Sequence, residues 1–176
     1  MRETKLPYKE TAPGYADPEE RARSASDRRQ ALLFTLDEQR YALPLSTVER
    51  VVHMVAITPL PQAPAIVLGV INVHGRLMPA LDLRRRFRLP LRDVSLTDRL
   101  IIAHAADRVV ALAADAVSGV LGYCARDAVA AHDIVPGVAY TEGVLRLADG
   151  LVLIHDLGGF LSLDEQAALD RTLAGS

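Results

Sequence analysis

Short apolar segments separated by turn residues make up most of the chain after residue 30. Residues 31–36 and 41–45 flank the polar stretch DEQR, which predicts a strand, a turn and a second strand. The same pattern recurs three times: GVINV and RLMPALDL flank His74-Gly75, residues 99–104 and 109–114 flank residues 105–108, and GVLRL and LVLIHDL flank residues 148–150. Short strands with regular turns and no strand–helix alternation predict an all-β fold, either small barrels or a sandwich.

Prolines and one aspartate mark the places where strands break. The stretch ITPLPQAP holds three prolines, and it predicts an irregular connection because proline removes backbone donors. Pro79 interrupts the strand that follows the His74-Gly75 turn, which predicts an edge strand or a bulge there. Asp82 ends that strand and is placed to cap a helical turn over residues 83–87.

Two Ser-x-x-Glu sequences resemble helix capping boxes, in which the serine and the glutamate each bond the backbone N–H of the other. The first, Ser46 to Glu49, has room for only one short helical turn before the strand-like RVVHMV. The second, Ser162 to Glu165, precedes apolar residues near helical spacing, which predicts a terminal helix packed on the β core. These apolar residues are Leu163, Ala167, Ala168, Leu169 and Leu173.

The first 30 residues differ in composition from the remainder. They hold seven Lys or Arg, six Asp or Glu, and Leu6 as their one branched aliphatic residue. Such a segment buries too little apolar surface to offset the entropy of ordering the chain. We therefore expect residues 1–30 to be a flexible charged extension and residues 31–173 to be the folded domain.

Composition narrows the range of functions. Aromatic residues are 5% of the chain and the formal net charge is −2, which argues against base stacking and a basic nucleic-acid footprint. The single cysteine, Cys124, favours a reducing compartment. The N-terminus lacks a signal-peptide pattern and the apolar stretches are too short to span a bilayer, so we expect a cytoplasmic protein.

A small hydrolase that uses histidine and cysteine is one alternative function. Its candidate residues are His53, His74, His104, His132, His155 and Cys124. No two of these histidines have the spacing of a shared helix face, and no HExxH, CxxC, GxGxxG or GxxxxGK[ST] motif occurs. We therefore expect no catalytic residue, metal or cofactor, and we read Cys124 as a buried or half-buried structural thiol.

A nucleic-acid-binding barrel of the SH3 or OB type is the second alternative. Its basis is a basic run at Arg84, Arg85, Arg86, Arg88 and Arg92, which is suited to phosphate. The acidic overall balance instead favours a solvated face of arginines with Phe87 turned inward.

The segment TPLPQAPAIVLGVINVHGRLMPALDLRRRF resembles CheW-like domains, whose signature is approximately a proline, several apolar residues and GxxNxRGxxxPxxDL. The matching residues are Pro61, Pro64, Gly69, Asn72, Gly75, Pro79, Asp82 and Leu83. FTLDEQRYALPLSTVERV, ALAADAVSGVL and GVLRLADGLVLIHDLGGFL are similar to other strands of that family. The resemblance extends over roughly residues 31–173.

The resemblance implies two five-stranded SH3-like barrels with a groove between them and a C-terminal helix. It also implies a non-enzymatic adaptor that needs no cofactor. In the family, barrel ends bind the regulatory domain of a CheA-type histidine kinase, and the groove binds the cytoplasmic tip of a methyl-accepting chemoreceptor. The expected location is the cytoplasm, at receptor arrays on the inner membrane, without membrane insertion or nucleic acid.

Carried over by position, the resemblance predicts Val48, Arg50 and His74 as receptor-binding residues. It predicts Ile57 and Gly69 as kinase-binding residues. Core packing explains Val48 and Ile57 equally well, and backbone geometry explains Gly69 better than direct contact does. His74 replaces the arginine that the family places before the signature glycine, and Arg50 stands where relatives often carry an acid. Arginine carries a fixed charge and five donors, whereas histidine is smaller, so these departures favour a divergent receptor.

Overall fold

The structure, a computed structural model, describes residues 27–134 and 140–174, except for the side chain of Leu163. Most of the predicted extension therefore lies outside the described residues. The first strand begins at Arg28, three residues before the predicted start of the domain. It begins there because Arg28, Arg29 and Gln30 pair with residues 122–124 of a later strand.

The described chain consists of eleven strands and three α-helices, with two short 3-10 turns between them. The strands are β1 (Arg28–Leu36), β2 (Gln39–Pro44), β3 (Val48–His53), β4 (Val67–Val73), β5 (Arg76–Asp82), β6 (Arg99–Ala105), β7 (Arg108–Ala114), β8 (Ala116–Cys124), β9 (Ala128–Ala130), β10 (Thr141–Leu147) and β11 (Gly150–His155). The helices are α1 (Leu83–Phe87), α2 (Ala131–Ile134) and α3 (Leu163–Ala174), each too short to serve as a transmembrane span. The four predicted hairpins are confirmed.

Barrel 1 contains both the first and the last strands of the chain, in the order β8-β1-β2-β11-β10-β9. Strands β8 and β9 follow one another through the 3-10 turn Ala125–Asp127, so this segment reaches both edges of the sheet. Together they act as one interrupted fifth strand that closes the barrel. Strand β11 joins β2 in parallel, which ties the end of the chain to its beginning.

Barrel 2 is formed by the middle of the chain, in the order β3-β6-β7-β5-β4. Its closing contact comes from the proline-rich connection after β3. There Thr58 and Val70 exchange backbone hydrogen bonds of 2.9 and 2.8 Å. The two five-stranded barrels predicted from the resemblance are thus present.

Pro79 is not on an edge strand, because β5 lies between β4 and β7. Val70, its partner in β4, uses its backbone groups to bond Thr58 on the other side. The pair is therefore a non-hydrogen-bonded one, and the nitrogen of Pro79 points away from β4. Strand β7 pairs with β5 only over Ala80, Leu81 and Asp82. The proline is tolerated because neither neighbour requires a donor at this position.

The largest apolar cluster lies between the barrels rather than inside either one. Strand β6 shows why: Leu100 and Ile102 face the interior of barrel 2, whereas Ile101 and Ala103 face the shared cluster. In barrel 1, the residues of β1 alternate in the same way between the shared cluster and the interior of barrel 1. We call this cluster the shared core; its fully buried members include Phe34, Leu36, Leu43, Leu81, Leu83, Ile101, Leu112 and Phe160.

Helix α1 begins at a side-chain cap, as predicted. The Oδ1 of Asp82 accepts a hydrogen bond of 2.9 Å from the backbone N–H of Arg84. The helix ends at Phe87, and the cap residue that follows, Arg88, has a left-handed conformation with φ of 57°. Leu83 is buried in the shared core, so one face of this single helical turn packs against that core.

The prediction of a solvated arginine face was wrong for Arg84 and Arg86, whereas Arg92 is exposed as predicted but forms ion pairs. Arg84 is buried and donates to Asp37 at 2.7 Å and to Asp115 at 2.6 Å. Arg92 shares Asp115 with it and also grips Asp98 through two hydrogen bonds. Arg86 pairs with Glu165 of α3 at 2.6 Å, and Phe87 turns inward as predicted.

The ion pairs of Arg84 and Arg92 with Asp37, Asp98 and Asp115, which we call the Arg84 network, join the two barrels. Asp37 lies in the β1–β2 turn of barrel 1, Asp115 lies between β7 and β8, and Arg84 follows barrel 2 strand β5. Burial works against the charged form of each group, but the hydrogen bonds outweigh it. The hydrogen bonds hold the pKa of the Asp115 carboxyl below its usual range and the pKa of the Arg84 guanidinium above its usual range.

An aromatic stack fills the space beside the network. Phe87 stacks on His155 with ring centres 4.2 Å apart and on Tyr41 at 5.0 Å. The Nδ1–H of His155 donates to the backbone oxygen of Tyr140 at 2.7 Å. Burial lowers the pKa of His155 to about 4, so the ring is neutral near pH 7.

The two predicted capping boxes had different outcomes. In the second, Glu165 N–H donates to the Ser162 oxygen at 3.2 Å and Ser162 N–H donates to the Glu165 carboxylate at 2.9 Å, so it is confirmed. Leu169 of the helix that follows is buried in the shared core.

The prediction of a capping box at Ser46 and Glu49 was wrong. A 3-10 turn, Leu45–Thr47, follows Pro44 without a side-chain cap, and Glu49 belongs to β3.

We expect Arg84→Met to lower the free energy of unfolding by about 2 kcal/mol, because it removes the charge-assisted hydrogen bonds of Arg84 to Asp37 and Asp115, although Asp115 keeps Arg92. Urea unfolding at neutral pH measures the change. Arg88→Met is the matched control, since Arg88 is exposed on the same segment and should cost less than about 0.5 kcal/mol. Equal losses in the two variants would contradict the role of the network.

Candidate interaction surfaces

One end of barrel 2 carries the signature turn. His74 and Gly75 connect β4 to β5 with φ of 52° and 84°, a two-residue hairpin turn in which glycine is favoured. The Oδ1 of Asn72 accepts from the Gly75 N–H at 2.8 Å, which explains an asparagine at this signature position. The turn presents the exposed side chains of His74 and Arg76.

A charged cluster lies at the same end and is centred on Glu49. Its carboxylate accepts from Arg50 at 2.9 Å and from Arg76 at 3.0 Å, and His104 stands 3.9 Å away. The hydrogen bond from Arg50, followed by that from Arg76, lowers the pKa of Glu49. Arg50 and Arg76 are each half exposed, so two guanidinium groups face solvent around one carboxylate.

Val48 lies at the junction of this end with the shared core. It is half-buried and packs against that core. On barrel 1, the exposed Val120 of β8 stands directly opposite Leu32, a member of the shared core, and shares its face of the sheet. Apolar side chains from both barrels thus reach the surface where the barrels meet.

Ile57 and Gly69 come together in space, away from the His74 turn. Gly69 has φ of 153°, and a Cβ built on it would lie 2.2 Å from the Thr58 carbonyl oxygen and 2.9 Å from Cγ2 of Ile57. The connection that closes barrel 2 therefore rests directly on the glycine backbone. Ile57 is half-buried against the interior of barrel 2. A structural requirement thus applies to Gly69 whatever it binds.

The predicted receptor residues Arg50 and His74 lie at the end of barrel 2 that carries the Glu49 cluster, and Val48 lies beside them on β3. Sequence reasoning missed Glu49 and Arg76. They are 27 positions apart and meet only because the barrel closes. The signal available in the sequence was their charge, on polar positions of otherwise apolar strands.

The histidines, the cysteine and the arginines that the sequence offered for other functions are dispersed over the described residues. No group of three His, Cys, Asp or Glu side chains comes together there to hold a metal ion. Cys124 is half-buried at the end of β8, as expected for a structural thiol. His155 is enclosed by aromatic rings. Four of the five basic residues proposed for phosphate form ion pairs with carboxylates: Arg84, Arg85, Arg86 and Arg92.

Comparisons with known proteins agree with one another. The family model described as "CheW-like domain" matches residues 30–165. The chain is 29% identical over 142 residues to chemotaxis protein CheW of Rhizobium meliloti, covering 80% of this chain and 92% of that one. It is 27% identical to chemotaxis protein CheW of Klebsiella aerogenes, covering 80% and 86%. It is also 28% identical to protein FrzA of Myxococcus xanthus, covering 56% and 61%.

A solved structure shares the architecture. The scaffolding protein TtCheW of Thermoanaerobacter tengcongensis superposes with a TM-score of 0.69 at 28% identity. The superposition covers 78% of this chain and 94% of the other.

We expect Gly69→Ala to lower the free energy of unfolding by about 2–4 kcal/mol, because the new methyl group collides with the Thr58 backbone. Thermal or urea unfolding measures the loss. Gly122→Ala is the matched control on β8, where an added Cβ meets nothing within 4 Å. If Gly69→Ala were as stable as Gly122→Ala, the close approach of the connection to Gly69 would be refuted.

Proposed function

The chain belongs to the CheW-like family, and from this premise we propose that it couples the cytoplasmic tips of chemoreceptors to a CheA-type histidine kinase. It is a chemotaxis coupling adaptor, a scaffold in signal transduction. The observation that supports this most is the family match over residues 30–165, which takes in the strands of both barrels. Neither alternative, the nucleic-acid barrel or the hydrolase, has support.

The kinase-facing surface, in this proposal, lies around Ile57 and Gly69. The half-buried Ile57 side chain and the backbone of the closing connection meet there. The arrangement is rigid because Thr58 is bonded to Val70 on both its N–H and its carbonyl. A rigid surface loses little conformational entropy when it binds, which suits an interface between folded domains.

The receptor-facing surface, in this proposal, includes Val48, Arg50 and His74. Val48 supplies an apolar contact beside the shared core, while the Glu49 cluster sets the charge next to it. The two half-exposed arginines favour a receptor tip that presents carboxylates near this end of barrel 2. The charges of the Glu49 cluster support a receptor tip that diverges from those of other family members, as Arg50 and His74 indicated in the sequence.

The adaptor works without catalysis, cofactor or metal, and its partners are the kinase regulatory domain and the receptor tip. It acts in the cytoplasm and is recruited to receptor arrays at the inner membrane by these two contacts. Alternation of kinase and adaptor domains builds the array.

The kinase contact is tested by calorimetric titration with the isolated regulatory domain of a CheA-type kinase from the same genome. We expect saturable one-to-one binding, weakened about tenfold or more by Ile57→Asp, because a charge replaces an apolar contact. Val109→Asp is the matched control, since Val109 packs against the same barrel interior from β7. If the control weakened binding as much as Ile57→Asp, the effect would be one of folding, and the kinase surface would lie elsewhere.

The receptor contact is tested with a cytoplasmic tip fragment of a chemoreceptor from the same genome. We expect His74→Arg to change its affinity by about threefold or more, because a fixed charge joins Arg50 and Arg76 at the rim. His53→Arg adds the same charge at the far end of β3 and should leave the affinity unchanged. An unchanged affinity in His74→Arg would remove the basis for a divergent receptor.

A further inference from the structure

The loop between α1 and β6, residues 89–98, exposes three apolar side chains within six positions. Leu91 is 57% exposed, Val94 is 36% exposed and Leu96 is 86% exposed. Single exposed apolar residues are common on soluble proteins, but a cluster of them marks a surface that contacts something. We call this segment the 89–98 loop.

The backbone of the 89–98 loop is held in place by the Arg84 network. Arg84 donates to the carbonyl oxygen of Pro90 at 3.0 Å, and Leu89 N–H donates to the carbonyl of Arg84 at 2.9 Å. Arg92 grips the buried Asp98 with two hydrogen bonds, which clamps the loop across six residues. The apolar side chains are therefore presented by a fixed backbone.

A second clamp orders the far half of the loop. Ser95 N–H donates to the Asp98 carboxylate at 2.8 Å, and Asp98 N–H returns a bond of 3.0 Å to the carbonyl of Ser95. These two hydrogen bonds form a turn that leaves the side chain of Leu96 exposed to solvent. A preorganised loop loses little conformational entropy on binding, so even a small apolar contact contributes affinity.

The 89–98 loop borders the proposed kinase-facing surface. Val94 and Leu68 line the same small hollow at the end of barrel 2. Leu68 precedes Gly69, on which the Ile57–Thr58 connection rests. Val94 of the loop thus reaches β4 one residue from Gly69, which places the loop next to the Ile57–Gly69 surface.

The charged residues that flank the loop indicate which kind of surface it would bind. The exposed Arg88 stands before it and the half-buried Arg99 after it, while Arg85 is paired with Asp82; Asp93 is the exposed acid of the loop. The other acid of the loop, Asp98, is buried and neutralised by Arg92. The apolar side chains therefore sit within a basic rim, which is complementary to an apolar hollow edged by carboxylates.

We propose that the 89–98 loop is an apolar docking element that extends the kinase-facing surface and inserts into an acid-rimmed hollow on the kinase regulatory domain. The proposal rests on the proposed function, since it names the same partner. It assigns Leu96 and Leu91 as anchors and Arg88 as a rim charge. The Arg84 network then serves binding as well as stability, because it holds the anchors in position.

The test is calorimetric titration of the full chain and its variants with the regulatory domain of a CheA-type kinase from the same genome. We expect Leu96→Asp and Leu91→Asp each to weaken binding about tenfold or more, and Arg88→Glu to weaken it about threefold. Leu77→Asp is the matched control, because Leu77 is 69% exposed on β5 beside the other end of barrel 2. It should bind like the wild type.

The outcomes separate this proposal from the proposed function. Wild-type binding that Leu96→Asp and Leu91→Asp leave unchanged would overturn the docking element and leave the adaptor role intact. Absence of wild-type binding would overturn both. Binding of the wild type, but not of Leu96→Asp, to vesicles of anionic phospholipid, with kinase affinity unchanged in that variant, would assign the loop to a lipid surface and refute the proposal. Thermal unfolding of each variant should match the wild type, since these side chains are exposed.

Discussion

The shared core between the barrels is the constraint on which the other features depend. Each barrel is small, and several of its strands are apolar on both faces, as β6 shows with Leu100 and Ile102 inward and Ile101 and Ala103 outward. A barrel alone would leave the outward set in water. Burying it requires the second barrel, and each buried large side chain contributes about 1.5–3 kcal/mol. The two barrels are therefore one folding unit built around a common interior.

The Arg84 network is the polar counterpart of that core. A buried guanidinium is tolerated only when it is hydrogen-bonded, and Asp37, Asp115 and the Pro90 carbonyl accept three hydrogen bonds from Arg84. Because its carboxylates come from the β1–β2 turn and from the crossover after β7, the network fixes how the barrels meet. It also holds the 89–98 loop, so the groups that align the barrels also shape the surface.

A rigid pair of barrels suits an adaptor because each contact surface is set independently of the others. The Glu49 cluster and the His74 turn lie at one end of barrel 2, whereas Ile57 and Gly69 lie where the closing connection crosses β4. Different strands and turns carry these sites, so a charge change at position 50 or 74 alters one surface without repacking the other. The proposed receptor contact can thus change its charge while the fold is kept.

The sequence by itself determined the four hairpins, the Asp82 cap and the Ser162–Glu165 capping box, because these depend on neighbours a few positions apart. Its resemblance to a family supplied the two barrels. It misjudged Arg84, Arg86 and the serine at position 46. Only the tertiary structure decided that Arg84 meets Asp37, 47 positions away, and that Arg76 meets Glu49, 27 positions away. Charge and alternation along a chain show which side chains need a partner, but a closed barrel brings distant segments together, and that closure selects the partner.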